Sequence, residues 1–200
     1  MEYCVVDVET TGLDLRRDSI VSFGAVCVVD GRVRVGDCAY QIVRPGCDVS
    51  MRSVCIHGLR PADLADAPSQ AEALPVLADL LDGRVLVAHA AWIERAFLSR
   101  AFRRIGTRLV GPVVDTAGLV RAAGLDREAL PGHEPSLERT AVSVGLEPHS
   151  PHHAIGDALT TAELMLVMAV RLRAVTVADL VYPDDGRVGR EHHVSRDVTA

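Results

Sequence analysis

No lysine occurs anywhere in these 200 residues, so all 21 basic side chains are arginine. Chemistry that needs a lysine is thereby closed: there is no Walker-type phosphate loop and no Schiff base. Aromatic residues make up only 4% of the chain, too few for an obvious platform on which single-stranded bases could stack. No apolar run approaches the roughly 20 residues of a membrane span. The opening MEYCVVDVE also lacks the basic segment and cleavage site of a secretory leader. A cytoplasmic protein with no membrane contact is expected. The cysteines (Cys4, Cys27, Cys38, Cys47, Cys55) are odd in number and show no C-x-x-C spacing. They read as reduced, mostly buried thiols rather than a zinc site. No G-x-G-x-x-G follows the first apolar segment, which excludes a dinucleotide-binding domain. A net charge of −6 argues against passive nucleic-acid binding through a basic surface, but not against an enzyme that meets phosphates through bound cations.

What is present is 48% hydrophobic and 24% charged, the composition of a globular protein long enough for one sizeable core. Residues 2–9 read as a strand, and 19–43 as two strands joined by a tight turn at Asp30-Gly31. A short irregular stretch containing CIHGL follows. PSQAEALPVLADLLDG predicts a helix capped at Ser69 and stopped at Gly83. RVLVAH predicts a fourth strand feeding the helix AAWIERAFLSRAFRRIG, and PVVDT a fifth strand before a helix near 116–123. Further helices are expected after the cap Ser136 and over HHAIGDALTTAELMLVMAVRLRAV. This order implies an α/β fold with a mixed five-stranded sheet flanked by helices. One domain over 1–182 and a charged, mobile C-terminal tail over 183–200 are expected.

Within this frame several acids sit where apolar residues belong. In CVVDVETTGLD the strand is apolar on both faces, yet Asp7 and Glu9 lie two apart and so point to one face. Asp157 lies in the first turns of the last helix, apolar almost all round, where the helix dipole alone would favour a carboxylate. Taken singly, each has a plain reading. Glu94 can be a solvated helix residue, His89 a packed histidine, and His152 and His153 loop residues. The arginines of RAFLSRAFRRIGTR can form a solvated face or contact phosphates, and Trp92 reads as core more readily than as a base-stacking surface.

Order and spacing join these pieces. The chain resembles the DEDDh family of 3′–5′ exonucleases, the group that includes the proofreading ε subunit of bacterial DNA polymerase III, from about Tyr3 to Leu172. VVDVETTGLD matches the first family motif, with Asp7 and Glu9 in its metal-binding positions. HHAIGDALTTAEL matches H-x-x-x-x-D, making His152 the general base and Asp157 a ligand, with His153 one place off that spacing. HAAWIERAFL stands where the family reads H-N-x-x-F-D-x-x-F-L, with Ala90 for Asn, Ile93 for Phe and Glu94 for Asp.

The resemblance implies a ribonuclease H-like fold and a metal-dependent 3′–5′ exonuclease. Its catalytic residues would be Asp7, Glu9, Glu94, His152 and Asp157, and its metal ligands Asp7, Glu9 and Asp157. It also implies two Mg²⁺ or Mn²⁺ ions, with Asp7 bridging both. Thr10, Thr11 and Gly12 of ETTG, and His57 of IHGL, would contact substrate, and Asp115 of VVDT would be structural. Single-stranded DNA or short RNA 3′ ends are the implied partners, with a DNA polymerase as a candidate protein partner. Clustered carboxylates repel one another unless cations neutralise them, and hard oxygen donors suit these ions. The alternative is a catalytically weakened nuclease-like module that binds single-stranded 3′ ends or a partner protein, since Glu94 carries its charge one methylene further out, roughly 1.5 Å.

Overall fold

Apolar runs buried on both faces in the N-terminal third build the centre of the sheet. In the computed structural model, which describes residues 1–126 and 133–181, strand β1 (Glu2–Thr10) lies at the centre. On one side it pairs antiparallel with β2 (Ile20–Val29), which pairs antiparallel with β3 (Arg32–Ile42). On the other it runs parallel to β4 (Val85–Ala88), which runs parallel to β5 (Val113–Asp115), giving the order β3-β2-β1-β4-β5. The hairpin turn forms where the sequence places it. Asp30 and Gly31 both take positive φ, 50° and 72°, the pair a tight hairpin of matching twist requires.

The two faces of β1 bury against different helices. Cys4, Val6 and Val8 enter one core with Leu74 and Leu77 of α3 (Gln70–Leu81) and Phe97 and Leu98 of α4 (Trp92–Arg104). Tyr3 and Val5 enter the other with Leu119 of α5 (Thr116–Ala122), Leu137 of α6 (Leu137–Ser143) and Met165 of α7 (Ala154–Arg171). By the period of two, Asp7 and Glu9 continue the Tyr3–Val5 row and so face α7.

The helix caps follow the sequence. The Glu72 carboxylate accepts from the Ser69 amide at 2.8 Å, and Ser136 accepts from the Arg139 amide at 3.3 Å. Two expectations are corrected. The stretch containing CIHGL is helical, α1 (Met51–His57), because Ser50 caps it by accepting from the Ser53 amide; a four-residue helix α2 (Pro61–Leu64) follows. The cysteines are free, as expected, but only Cys4 and Cys27 are buried. Cys38 lies on the edge strand β3, Cys47 in a loop and Cys55 on the outer side of α1, so all three are exposed. The tail expected over 183–200 lies outside the described residues.

One glycine sets how closely α7 approaches. Gly24 sits opposite Asp7 in the β1–β2 register, and a Cβ there would stand 2.3 Å from the backbone of Ala154, the first residue of α7. Only a bare backbone lets the helix start lie against β2 beside Asp7. Gly24→Ala should therefore destabilise the protein by about 1–3 kcal/mol, read as a lower denaturant midpoint, and reduce activity more than Gly31→Ala does.

Candidate active site

The parallel strands β1, β4 and β5 end together, and the functional side chains gather at their C-terminal edge, the usual ligand side of an open α/β sheet. Asp7 and Glu9 come from β1, Asp157 from the first turn of α7. One carboxylate oxygen from each lies within 4.8 Å of the other two. Among the described residues none of the three forms an ion pair. Asp157 Oδ2 accepts a hydrogen bond from the His152 amide at 2.9 Å.

Electrostatics records the cost of this crowding. Burial first, then Glu94, Glu9 and Asp157, raise the Asp7 carboxyl well above the usual carboxylate range. Burial and then Asp157 push Glu9 up to about 7. Asp157 rises to about 6, mainly through burial, against the opposing His152 amide. Each acid resists becoming an anion beside the others, a deficit that bound cations would remove. The donor set fits Mg²⁺ or Mn²⁺: three hard oxygen ligands, with coordination positions left for water or phosphate.

Glu94 stands apart from this triad. It is 4% exposed, and its Oε2 is enclosed without a hydrogen-bond partner. It is not one of the three acids within 4.8 Å of each other. Burial raises its pKa well above the ordinary value, with Asp115 and Glu9 adding to the effect, and in turn it raises that of Asp7. Its helix is fixed by Asp115, whose Oδ1 accepts from the Ala91 amide at 3.3 Å and caps α5 at 3.0 Å while Oδ2 pairs with Arg121. Asp115 thus has the structural role expected of it. Ala90, where the family pattern has Asn, adopts φ 57°, a left-handed conformation that Asn tolerates better than Ala.

His152 precedes α7 with φ 61°, strained for a non-glycine residue. Its amide is spent on Asp157, and its imidazole is 56% exposed, with Nε2 3.9 Å from Glu138 Oε1. His153 stacks on Tyr40 at 4.4 Å between ring centroids and is the helix cap residue. Glu138 was not legible from sequence: it lies in the exposed-looking run SLERT and belongs to none of the three motifs.

The turn after β1 is braced from within. Thr11 is fully buried. Its hydroxyl donates to Asp18 at 2.8 Å, its amide to Ser19, and its carbonyl accepts from Ser50 and Ser53. Thr10 Oγ1 donates to the Gly12 carbonyl at 2.8 Å. His57 Nδ1 accepts from the Leu59 amide at 3.0 Å, so its enclosed Nε2 edge faces the Thr10 backbone, and burial lowers its pKa. The guanidinium of Arg100 donates to the Leu15 and Asp18 carbonyls, which assigns this arginine to holding the turn rather than to a free phosphate. Trp92, expected in the core, is only partly buried, with its indole N–H enclosed but unbonded.

His89 is packed rather than catalytic. Nε2 meets the Pro135 carbonyl at 2.7 Å and Nδ1 the Thr116 hydroxyl at 2.9 Å, and burial lowers its pKa. The neutral ring that results donates from Nε2 and accepts at Nδ1.

Known proteins of similar sequence are DNA polymerase III proteins, and solved structures of similar shape are exonucleases. The family model RNase_T, described as exonuclease, matches residues 4–165. A DNA polymerase III subunit epsilon-like protein of Rhodobacter capsulatus is 32% identical over 203 residues, covering 100% of this chain and 28% of that protein. A PolC-type DNA polymerase III of Thermotoga petrophila is 30% identical over 179 residues, 89% of this chain and 12% of that one. The chain thus spans well under half of these relatives. Among solved structures, exonuclease X in complex with 5′ overhanging duplex DNA superposes with a TM-score of 0.69 at 24% identity, covering 90% of this chain and 97% of that one. Escherichia coli exonuclease I with a dA16 oligonucleotide gives 0.74 at 16% identity, covering 86% and 41%. These likenesses establish the ribonuclease H-like fold.

The raised carboxyls make a prediction about the metal-free protein. A group whose folded pKa exceeds its unfolded value adds stability at low pH and loses it as pH rises through the folded value. With Glu9 near 7 and Asp157 near 6, stability should fall between about pH 5 and pH 8. His57 and His89, with lowered pKa, act in the opposite sense, so the comparison is with Asp7→Asn, in which both histidines are retained. In EDTA, Asp7→Asn should gain about 1–3 kcal/mol over wild type on going from pH 5 to pH 8, measured by urea unfolding. Mn²⁺ should stabilise wild type but not the variant.

Proposed function

The chain belongs to the RNase_T exonuclease family, and on that premise we propose that it is a divalent-metal-dependent 3′–5′ exonuclease releasing nucleoside 5′-monophosphates from nucleic-acid 3′ ends. The observation that carries this reading is the convergence of one carboxylate oxygen from each of Asp7, Glu9 and Asp157 within 4.8 Å of the others. A structural role would not gather three mutually repelling acids at a strand edge, because each raises the cost of ionising the others.

Two Mg²⁺ or Mn²⁺ ions bound there would supply Lewis-acid stabilisation of an in-line phosphoryl displacement. The chain's own contributions follow from their positions. Asp7, Glu9 and Asp157 would hold the ions, and Glu94, outside the triad, would orient water around them. His152, whose imidazole is exposed and whose amide is fixed to Asp157, takes the proton from the attacking water, a task to which imidazoles are suited. Thr10, Gly12 and His57 border the terminal nucleotide, and Thr11 keeps their turn in shape.

DNA is the substrate class that the names of the relatives and neighbours favour, with short RNA as the competing substrate. A DNA polymerase is the candidate partner, because the similar proteins are polymerase III components. No described helix is long and apolar enough to cross a membrane, in keeping with action in the cytoplasm.

The test uses 3′- and 5′-labelled single strands, frayed duplexes and short RNA with Mn²⁺, Mg²⁺ or EDTA. Mononucleotide release from the 3′ label with Mn²⁺, abolished by EDTA and by Asp7→Ala, is expected. Binding of 3′ ends without shortening would identify a weakened binding module instead. Glu94→Asp should maintain or raise turnover, because an outer position tolerates either arm length. A loss of about 10²-fold would show that the site is built around glutamate.

A further inference from the structure

His152 is held by its backbone but not by its own immediate neighbours in sequence. Its amide is fixed to Asp157, while its imidazole projects with 56% exposure. A solvated ring on a strained residue would sample several rotamers, most of them away from the carboxylate cluster. The charged group the structure sets against Nε2 is Glu138, with Oε1 at 3.9 Å, an ion-pair distance rather than a direct hydrogen bond.

Glu138 is itself fixed. Its Oε2 accepts from the Ser136 hydroxyl at 2.6 Å, leaving Oε1 to face the imidazole. Ser136 also caps α6, and the carbonyl of the preceding residue, Pro135, accepts from His89 at 2.7 Å. A line of contacts therefore runs from the end of β4 through His89, Pro135 and Ser136 to Glu138. Burial alone would raise the Glu138 carboxyl, but the Ser136 hydroxyl, its own amide, His152 and His89 outweigh it and hold the group below its ordinary value. Glu138 also lies outside the triad of mutually close ligand atoms, so it is placed to act on the histidine rather than as one of those ligands.

We propose that Glu138 is a positioning residue for His152, holding the imidazole over the carboxylate cluster through Nε2 so that the base is in place when the scissile phosphate arrives. This rests on the reading of His152 as general base. Misplacing a reacting group by about 1 Å can cost up to ~10² in rate, and a half-exposed carboxylate–imidazole contact should contribute only part of that.

The test is a double-mutant cycle at saturating Mn²⁺ on a single-stranded oligonucleotide, with His152 imidazole ¹⁵N resonances recorded on the metal-free full chain. Glu138→Gln should lower kcat about 5- to 20-fold with KM unchanged, and Glu138→Asp should recover part of the loss. In a His152→Ala background, Glu138→Gln should have no further effect, and its Mn²⁺ affinity should stay within about twofold of wild type. The His152 Nε2 resonance should shift on Glu138→Gln. An equal loss in both backgrounds, an unchanged kcat, or a Mn²⁺ affinity that falls in step with kcat would each overturn the proposal, the last by making Glu138 part of the metal shell. If His152→Ala alone leaves activity intact, the general-base reading fails. The resonance shift then still decides whether Glu138 holds the ring.

Discussion

The repulsion among Asp7, Glu9 and Asp157 is the constraint around which this molecule is arranged. Two unit charges about 5 Å apart repel by roughly 3 kcal/mol at an effective dielectric near 20, and here three acids come within 4.8 Å of each other. Something must hold them together, and the sheet and α7 do so from opposite sides. β1 lies between β2 and β4, so Asp7 and Glu9 cannot swing away without breaking central ladders. Asp157 is delivered by a helix whose start touches β2 at Gly24, directly opposite Asp7 in register. The helix buries Leu164, Met165 and Met168 against the same face. Apolar burial along α7 thus supports an unfavourable charge arrangement at its tip, as functional sites commonly require.

Which parts of this were legible in the sequence follows from their range. The parity of Asp7 and Glu9 is local and survives any tertiary context, as do the Asp30-Gly31 turn and the Ser69 and Ser136 caps. The meeting of Asp157 with Asp7 is not local. It was reached through motif order and resemblance, since a helical wheel leaves Asp157 at the margin of the polar stripe. Gly24 carried no signal, because a glycine within an apolar strand says nothing of the helix that will lie on it. Glu138 carried none either, for its role depends on a contact with His152 made across the fold. The exposed Cys38, Cys47 and Cys55 misled for the opposite reason: apolar neighbours in sequence suggested burial, while an edge strand, a loop and an outer helix face left them in water.

The second motif shows how a substitution can be accommodated at a distance. Glu94 retains the acid but lies outside the triad, and Ala90 adopts a left-handed conformation without the asparagine that suits it. The strain at Ala90 is local, and the Asp115 carboxylate meets it by holding the next amide, Ala91. Arg121 anchors Asp115 in turn. The helix entry therefore has a fixed support even where its own residues depart from the family pattern. In the outer role proposed for Glu94, the longer arm would matter less than in direct ligation, because a carboxylate acting through water can adjust by moving the water.

The general base proposed for this site, His152, illustrates the same division of labour with opposite geometry. A metal ligand, the role proposed for Asp157, must be immobile before the ion arrives, and Asp157 sits inside a helix and is 7% exposed. A base must exchange protons with solvent in every turnover, so its ring has to remain wet, and a wet ring is difficult to orient. The chain meets both demands by anchoring His152 twice through groups that leave the ring open: the main chain to Asp157, and one ring nitrogen toward Glu138. The left-handed backbone at His152 is then the cost of turning the amide toward one acid while the side chain faces the other. A histidine buried in the helix would be better ordered but cut off from the water into which it must release its proton.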